Sequence, residues 1–320
     1  MRSVTDVHAV ASLATRVIDR VSTVVVGKRD RISLLVVALL SRGHVLIDDV
    51  PGTGKTMLAR SLARALDLDF RRIQCTPDLL PNDVTGVNVF HPEGGTFRFR
   101  AGPVFAHVVL ADEVNRATPR TQAALLEAMQ EGQVTVDGET RTLPTPFLVV
   151  ATQNPIEFEG TFPLPEAQLD RFALALDVGY PAPEEEAGLV RTHGGSHPID
   201  GVEPVAGGEE LMAACEVVDA VHLSEEVAAY VTTIVAATRD HPSVALGASP
   251  RASIRLGSVA RAHAAMSGRD FVIPDDVKGL AAPALAHRLV LTPEARLRGE
   301  TPRGVVESAV GGVAVEPDLG

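Results

Sequence analysis

The residues best placed to do chemistry begin at Asp49-Val-Pro-Gly-Thr-Gly-Lys-Thr56. Gly52 and Gly54 let the backbone curl with its N–H groups turned inward. A helix that starts at once presents its positive end there, so a polyphosphate is cradled largely by main chain. Lys55 would reach the β- and γ-phosphates, and the Thr56 hydroxyl would ligate Mg²⁺. The strict phosphate-loop pattern asks for glycine where Asp49 stands, although a carboxylate can still open a turn. A second centre is His107-Val-Val-Leu-Ala-Asp-Glu-Val-Asn-Arg116, an apolar run ending in two adjacent carboxylates. Beside a phosphate loop, Asp112 can hold Mg²⁺ through its water shell and Glu113 can polarise an attacking water; the bland reading is an acidic strand end in solvent. A third run, Phe147-Leu-Val-Val-Ala-Thr-Gln-Asn154, ends in an amide before Pro155. Asn154 could orient water or touch the γ-phosphate, or it could simply form an Asn-Pro turn. In Ala248-Ser-Pro-Arg-Ala252 an arginine follows a serine cap and a helix-starting proline. Arg251 is either a solvated first-turn residue or one that answers a phosphate, since a cation beside a positive helix end is otherwise poorly placed.

These groups need elements to hold them. The run at 45–47 reads as a strand and 57–66 as a helix, giving strand, phosphate loop, helix. Ahead of them, 7–25 has amphipathic helical spacing and 30–40 reads as a buried helix. Residues 70–74 form a short strand. The Gly-, Val- and Phe-rich stretch 82–100 is expected to be a hairpin, as is 133–142 around Asp137-Gly138, the favoured two-residue turn. Between them, 118–131 is a helix with proline at its start and Gly132 past its end. A last strand is expected at 173–178. Strands that are apolar throughout and alternate with helices indicate a parallel sheet covered on both faces. Composition changes after Pro181-Ala-Pro183, and helices are expected at 184–192, 209–221, 224–238, 250–266 and 275–288. The chain therefore divides into an α/β nucleotide-binding domain, 1–181, and a smaller all-α lid domain with a C-terminal tail, 182–320. The glycine-rich 194–208 reads as a flexible connector. His193 and His197 have the spacing of a metal pair, but Gly194-Gly195 between them makes a helix improbable, so they are read as loop residues.

With 320 residues, 45% hydrophobic and 4% aromatic with no tryptophan, the chain has room for two aliphatic cores. A net charge of −12 opposes non-specific binding to nucleic acid or anionic membrane. Cys75 and Cys215 stand far apart with no C-x-x-C, which fits a reducing compartment and argues against a disulfide framework or zinc. The longest apolar run, 32–40, is too short to span a bilayer, and a cytoplasmic protein is expected.

Taken in order, Asp49-Val-Pro-Gly-Thr-Gly-Lys-Thr56, Leu110-Ala-Asp-Glu-Val-Asn-Arg-Ala117, Gln122-Ala-Ala-Leu-Leu-Glu-Ala-Met-Gln-Glu131, Ala151-Thr-Gln-Asn-Pro155, Leu164-Pro-Glu-Ala-Gln-Leu-Asp-Arg-Phe172 and Ser249-Pro-Arg-Ala252 resemble the motifs of the MoxR family of AAA+ ATPases. The resemblance covers residues 8–300. It implies an ASCE-type nucleotide-binding α/β domain, a helical lid, and a ring, usually hexameric, with ATP and Mg²⁺ between subunits. By the same resemblance Asp49, Pro51, Gly52, Thr53, Gly54, Lys55 and Thr56 surround the nucleotide, with Thr56 and Asp112 on Mg²⁺. Asp112 and Glu113 are the Walker B pair, Asn154 is sensor 1, Arg171 is the arginine finger and Arg251 is sensor 2. Gly27 sits where the family contacts adenine. The family commonly lacks the first loop glycine, which accounts for Asp49, and its two hairpin insertions correspond to 82–100 and 133–142. The implied activity is ATP-driven, chaperone-like remodelling, assembly or metal-cofactor insertion for other protein complexes. A partner carrying a von Willebrand factor A domain often takes part, and no residue identifies a client. A magnesium-chelatase-type ATPase subunit shares the inserts and is the alternative. An MCM-type nucleic-acid motor is disfavoured by the net charge and the scarcity of stacking aromatics. No N-K-x-D guanine motif occurs, which disfavours a GTPase.

Overall fold

The computed structural model describes residues 4–93, 95–154, 160–192 and 198–314. Val7–Ser22 (α1) is capped by Asp6, whose carboxylate accepts from the Ala9 N–H at 2.8 Å, and it buries one stripe that includes Val10, Leu13, Val17 and Val21. Arg29–Leu40 (α2) buries Ile32, Leu35 and every residue from Val36 to Leu40. Such a helix must be covered on several sides, and α2 lies between the sheet and the later helices. Val45–Asp48 (β1) runs through the phosphate loop into Lys55–Ala65 (α3), followed by Phe70–Gln74 (β2). Pro81–Thr85 (α4) precedes a ribbon of Gly86–His91 (β3) and Thr96–Ala101 (β4). Val108–Asp112 (β5), Pro119–Glu131 (α5) and a second ribbon, Gln133–Val136 (β6) with Glu139–Thr142 (β7), lead to Leu148–Gln153 (β8). Glu166–Leu169 (α6) and Leu174–Leu176 (β9) complete the sheet.

The sheet order is β2-β5-β8-β1-β9, and every pairing is parallel. Each strand feeds two cores, because successive side chains point to opposite faces. Val45, Ile47, Val108, Leu110, Leu148 and Val150 join the larger cluster with α1, α2 and α3. Leu46, Val109, Ala111, Val149 and Ala151 join the cluster under α5.

After β9 come Pro183–Thr192 (α7), Gly208–Asp219 (α8), Glu225–Arg239 (α9), Val244–Leu246 (β10), Pro250–Met266 (α10), Pro274–Leu285 (α11), Val290–Leu291 (β11), Pro293–Leu297 (α12) and Pro302–Gly312 (α13). This helical lid rests on the front of the chain, α10 against α1 and α2, and α11 against β9. No described helix is long and apolar enough to cross a membrane.

Several expectations change. The start of the 82–100 stretch is helical, because Pro81 opens α4 and the Asp83 carboxylate accepts from the Leu80 N–H at 2.9 Å; the ribbon itself is 86–101. The last strand is short, 174–176, rather than 173–178. The supposed C-terminal tail carries α13, which buries Val305, Val306 and Ala309 and is capped by Thr301 Oγ1 accepting from the Gly304 N–H at 3.1 Å. The described part of the expected flexible connector is packed. Ile199 and Val202 are buried, the Val205 N–H donates to Ala65 O at 2.8 Å, and Arg64 Nε donates to Val202 O at 2.8 Å. His193 and His197 lie outside the described residues.

Within the lid, Asp276 is 2% exposed and accepts from His263 Nδ1 at 2.6 Å, from Arg269 at 2.7 and 2.6 Å, and from the Ile273 N–H at 2.9 Å. Burial pushes its pKa up, but the His263 and Arg269 hydrogen bonds outweigh that and hold it well below the usual carboxylate range. Its stabilising contribution is therefore full above the unfolded aspartate pKa of about 3.9, and is lost as pH falls through the lower folded value. Breaking a buried pair costs ~3–5 kcal/mol, so Asp276→Ala should shift the urea midpoint of the lid strongly at pH 7. An unchanged midpoint would show that the cluster is not a structural anchor.

Candidate active site at the carboxyl edge of the sheet

Parallel strands end together, and where β1, β5 and β8 end a pocket of about 400 Å³ opens. Asp49, Pro51, Gly52, Thr53, Gly54, Lys55, Thr56, Asp112, Glu113 and Asn154 line it. Gly52 (φ +84°) and Gly54 (φ +88°) take the left-handed backbone that glycine tolerates, and the space over both is open. Gly54 caps α3, so the first N–H groups of that helix face the pocket. Lys55 Nζ donates to Val50 O at 2.6 Å and to Asp49 O at 3.1 Å, which holds the ammonium over the mouth of the loop. Open glycines, a helix start and an ammonium at the mouth of the loop suit a polyphosphate.

Asp49 does something the sequence did not reveal. Its Oδ2 accepts from the Val178 N–H at 3.0 Å and the Gly179 N–H at 2.8 Å, and its Oδ1 from the Val50 N–H at 2.8 Å. Burial pushes its pKa up, but the hydrogen bonds from Gly179, Thr53, Val50 and Val178 prevail, and the group is held below the usual range. Its carboxylate is thus spent on tying the start of the phosphate loop to the chain leaving β9.

The acidic pair is positioned across three strands. Asp112 is buried; its Oδ1 accepts from Thr152 Oγ1 at 2.6 Å and its Oδ2 from Arg72 Nη2 at 2.6 Å. The same Thr152 oxygen accepts the Glu113 N–H at 2.9 Å. Glu113 itself sits at φ +56°, a left-handed conformation that a non-glycine residue adopts at a cost and that recurs at functional sites. Its Oε2 accepts from Gln74 Nε2 at 3.0 Å and from Arg116 Nη1 at 3.2 Å. Arg72 Nη2 also donates to Gln74 Oε1 at 2.6 Å, so one hydrogen-bond chain joins Asp112, Arg72, Gln74 and Glu113. Asn154 is buried at the end of β8, beside them. The buried Asp112 carboxylate and the Thr56 hydroxyl line one pocket, a donor set that fits Mg²⁺.

Arg72, Gln74 and Thr152 were missed by sequence reasoning. The signal available for Thr152 was a lone hydroxyl in an apolar strand; for Arg72 and Gln74 none existed before β2 was known to lie beside β5.

Gly27, Arg171 and Arg251 do not line this pocket. Gly27 (φ +73°) lies against Glu185 of α7, so closely that a Cβ would stand 2.0 Å from Glu185 Oε1. Arg171 lies in the turn before β9, where the Ala173 N–H donates to His44 O at 2.8 Å. That is the amino edge of the sheet, separated from the phosphate loop by the four residues of β1, roughly 13 Å. The exposed Arg251 shares this edge, because Ser249 Oγ donates to Asp170 Oδ2 at 2.9 Å. Asp170 does not pair with its neighbour Arg171; it pairs with Arg288.

Residues 44–174 match the family described as ATPase family associated with various cellular activities (AAA), and residues 236–309 match the AAA lid domain. The chain is 49% identical over 303 residues to the uncharacterised protein YeaC of Bacillus subtilis, covering 95% of each. It is 41% identical over 309 residues to the protein named Chaperone MoxR1 of Mycobacterium tuberculosis, covering 94% of this chain and 81% of that one. A crystal structure of a candidate ATPase from Cytophaga hutchinsonii superposes with a TM-score of 0.89 at 38% identity, over 97% of both chains.

Removing the Asp49 carboxylate would strand three N–H donors, at ~1–3 kcal/mol for each that stays buried and unpaired. Asp49→Ala is therefore expected to lower the melting temperature and weaken binding of a fluorescent ATP analogue, with Asp49→Asn recovering part of both. Wild-type melting and affinity in Asp49→Ala would show that the tie is dispensable.

Proposed function

Because this chain belongs to the MoxR family of AAA ATPases, we propose that it hydrolyses Mg²⁺-bound ATP in a ring of identical subunits and uses the cycle to remodel or assemble partner protein complexes. One observation carries this reading. The carboxyl-edge pocket gathers Lys55, Thr56, Asp112, Glu113 and Asn154, while Arg171 and Arg251 stand together on the opposite edge.

Lys55 and the loop N–H groups bind the β- and γ-phosphates. Thr56 and Asp112 would hold Mg²⁺, which would supply positive charge beside the phosphate oxygens. Asn154 orients a water, and Glu113, released from Gln74, accepts its proton as the water oxygen bonds to the γ-phosphorus and the bond to the β–γ bridging oxygen breaks. Charge that develops on the transferring group is met by Arg171 and Arg251 of the neighbouring subunit, because neither reaches the pocket of its own chain. A six-membered ring, a von Willebrand factor A domain partner and client complexes are supported by the MoxR relationship.

Glu113→Gln keeps a hydrogen-bonding side chain and removes the base. It should bind ATP and turn over about 10²- to 10⁴-fold more slowly; near-normal turnover would remove Glu113 from the mechanism. Arg171→Ala should bind ATP and lose about 10³- to 10⁵-fold in rate. Mixed with Lys55→Ala subunits, which lack nucleotide binding, it should recover activity, because some interfaces then pair an intact loop with an intact arginine. No recovery in rings shown by mass to contain both subunits would exclude action between subunits.

A further inference from the structure

The amino edge of the sheet holds more positive charge than it neutralises. Arg288, 4% exposed, pairs with Asp170 Oδ1 and donates through Nη2 to Phe172 O at 2.6 Å and through Nε to Ala284 O at 2.8 Å. The other Asp170 oxygen accepts from Ser249. These bonds fasten the first turn of α10 to the turn that carries Arg171, and they use both oxygens of Asp170.

Arg255 follows Arg251 by one helical turn, so both project from the same face of α10. It is half-buried, and among the described residues it makes neither a hydrogen bond nor an ion pair. Its surroundings oppose its charge: burial first and then Arg251 lower its pKa, with Asp170 acting the other way. Arg288, held down to about 10 by burial, also feels Arg255 and Arg251, and the buried His44 ahead of β1 feels Arg255, which places all these groups at one corner. The Nε of Arg171 is buried there without a partner. A half-buried cation with no hydrogen bond or ion pair of its own costs free energy in the subunit that carries it, and an anion supplied from outside would relieve that cost.

We propose that Arg255 is a third phosphate-binding arginine, closing with Arg171 and Arg251 on the γ-phosphate of ATP held in the neighbouring subunit's loop. The proposal rests on the shared-site reading above. A carboxylate from the neighbour would neutralise one cation and leave the others exposed to each other. A phosphoryl group in transfer, with its negative charge spread over three oxygens, is matched to several guanidiniums at once.

The test compares Arg255→Ala and Arg255→Lys with wild type in three measurements. First, nucleotide-free Arg255→Ala subunits should melt at the wild-type temperature or above it, because an uncompensated cation has been removed; a fall would show that Arg255 serves the fold of its own subunit and would overturn the proposal. Second, Arg255→Ala rings should turn over on the order of 10²-fold more slowly. They should regain activity when mixed with Lys55→Ala subunits, and Arg255→Lys should lie between. Third, Arg255→Ala rings should release ADP faster than wild type in the presence of beryllium fluoride, a γ-phosphate mimic, and at the wild-type rate without it. Weaker assembly to the same degree with and without the mimic would point to a carboxylate partner and overturn the proposal. Wild-type turnover in Arg255→Ala, alongside recovery in the Arg171→Ala mixture, would remove Arg255 alone. Failure of the Arg171→Ala mixture would remove the shared site itself.

Discussion

Five parallel strands decide which groups of this chain can meet. Every strand delivers its carboxyl end to the same edge, and there the phosphate loop, Asp112, Glu113 and Asn154 converge although they are scattered over a hundred residues. Whatever precedes a strand is delivered to the other edge. Arg171, ahead of β9, and Arg251, fastened beside it through Ser249 and Asp170, belong there. One subunit thus presents a polyphosphate pocket on one side and a cationic corner on the other. Head-to-tail contacts between such complementary edges close into a ring when the rotation permits.

Within the pocket, polar groups are held by other polar groups. Asp49 occupies a position where phosphate loops usually carry glycine, and it repays the loss of backbone freedom by receiving three N–H groups from two segments. The buried Asp112 is met by Arg72 and Thr152, as an ionised carboxylate out of water requires. Gln74 and Arg116 hold Glu113. The same two strands that supply Arg72, Gln74, Asp112 and Glu113 lead into the two ribbons.

Those ribbons brace each other. Asn88 Nδ2 donates to Asp137 Oδ2 at 2.8 Å, and the Arg141 guanidinium lies 4.0 Å over the Phe99 ring. Phe90 and Phe97 pair across the outer end of the first ribbon with their rings 5.3 Å apart, and both remain exposed. On the far side, α1 and α2 carry the lid on an apolar face, so the position of α10, and with it Arg251 and Arg255, is set by core packing and by the Asp170 fastening.

The sequence by itself determined what rests on local rules. The Gly52 and Gly54 turn into α3, the apolar strands, the Asp137-Gly138 ribbon and the proline-started helices α5 and α10 follow from backbone preference and periodicity, which act over a few residues. It also named the two carboxylates and the amide, because strand ends followed by turns are visible in one dimension. Elements at weak or competing signals were misjudged: α4 behind Pro81, the trimmed β9, and α13 in what read as a tail. Tertiary structure alone decided that β2 lies beside β5, and so that Arg72 and Gln74 reach the acidic pair. It alone turned Asp49 toward β9 instead of the phosphates, and it alone set Arg171, Arg251 and Arg255 on the edge facing away from their own pocket. Strand order and edge are properties of how distant segments pack, and no local preference encodes them.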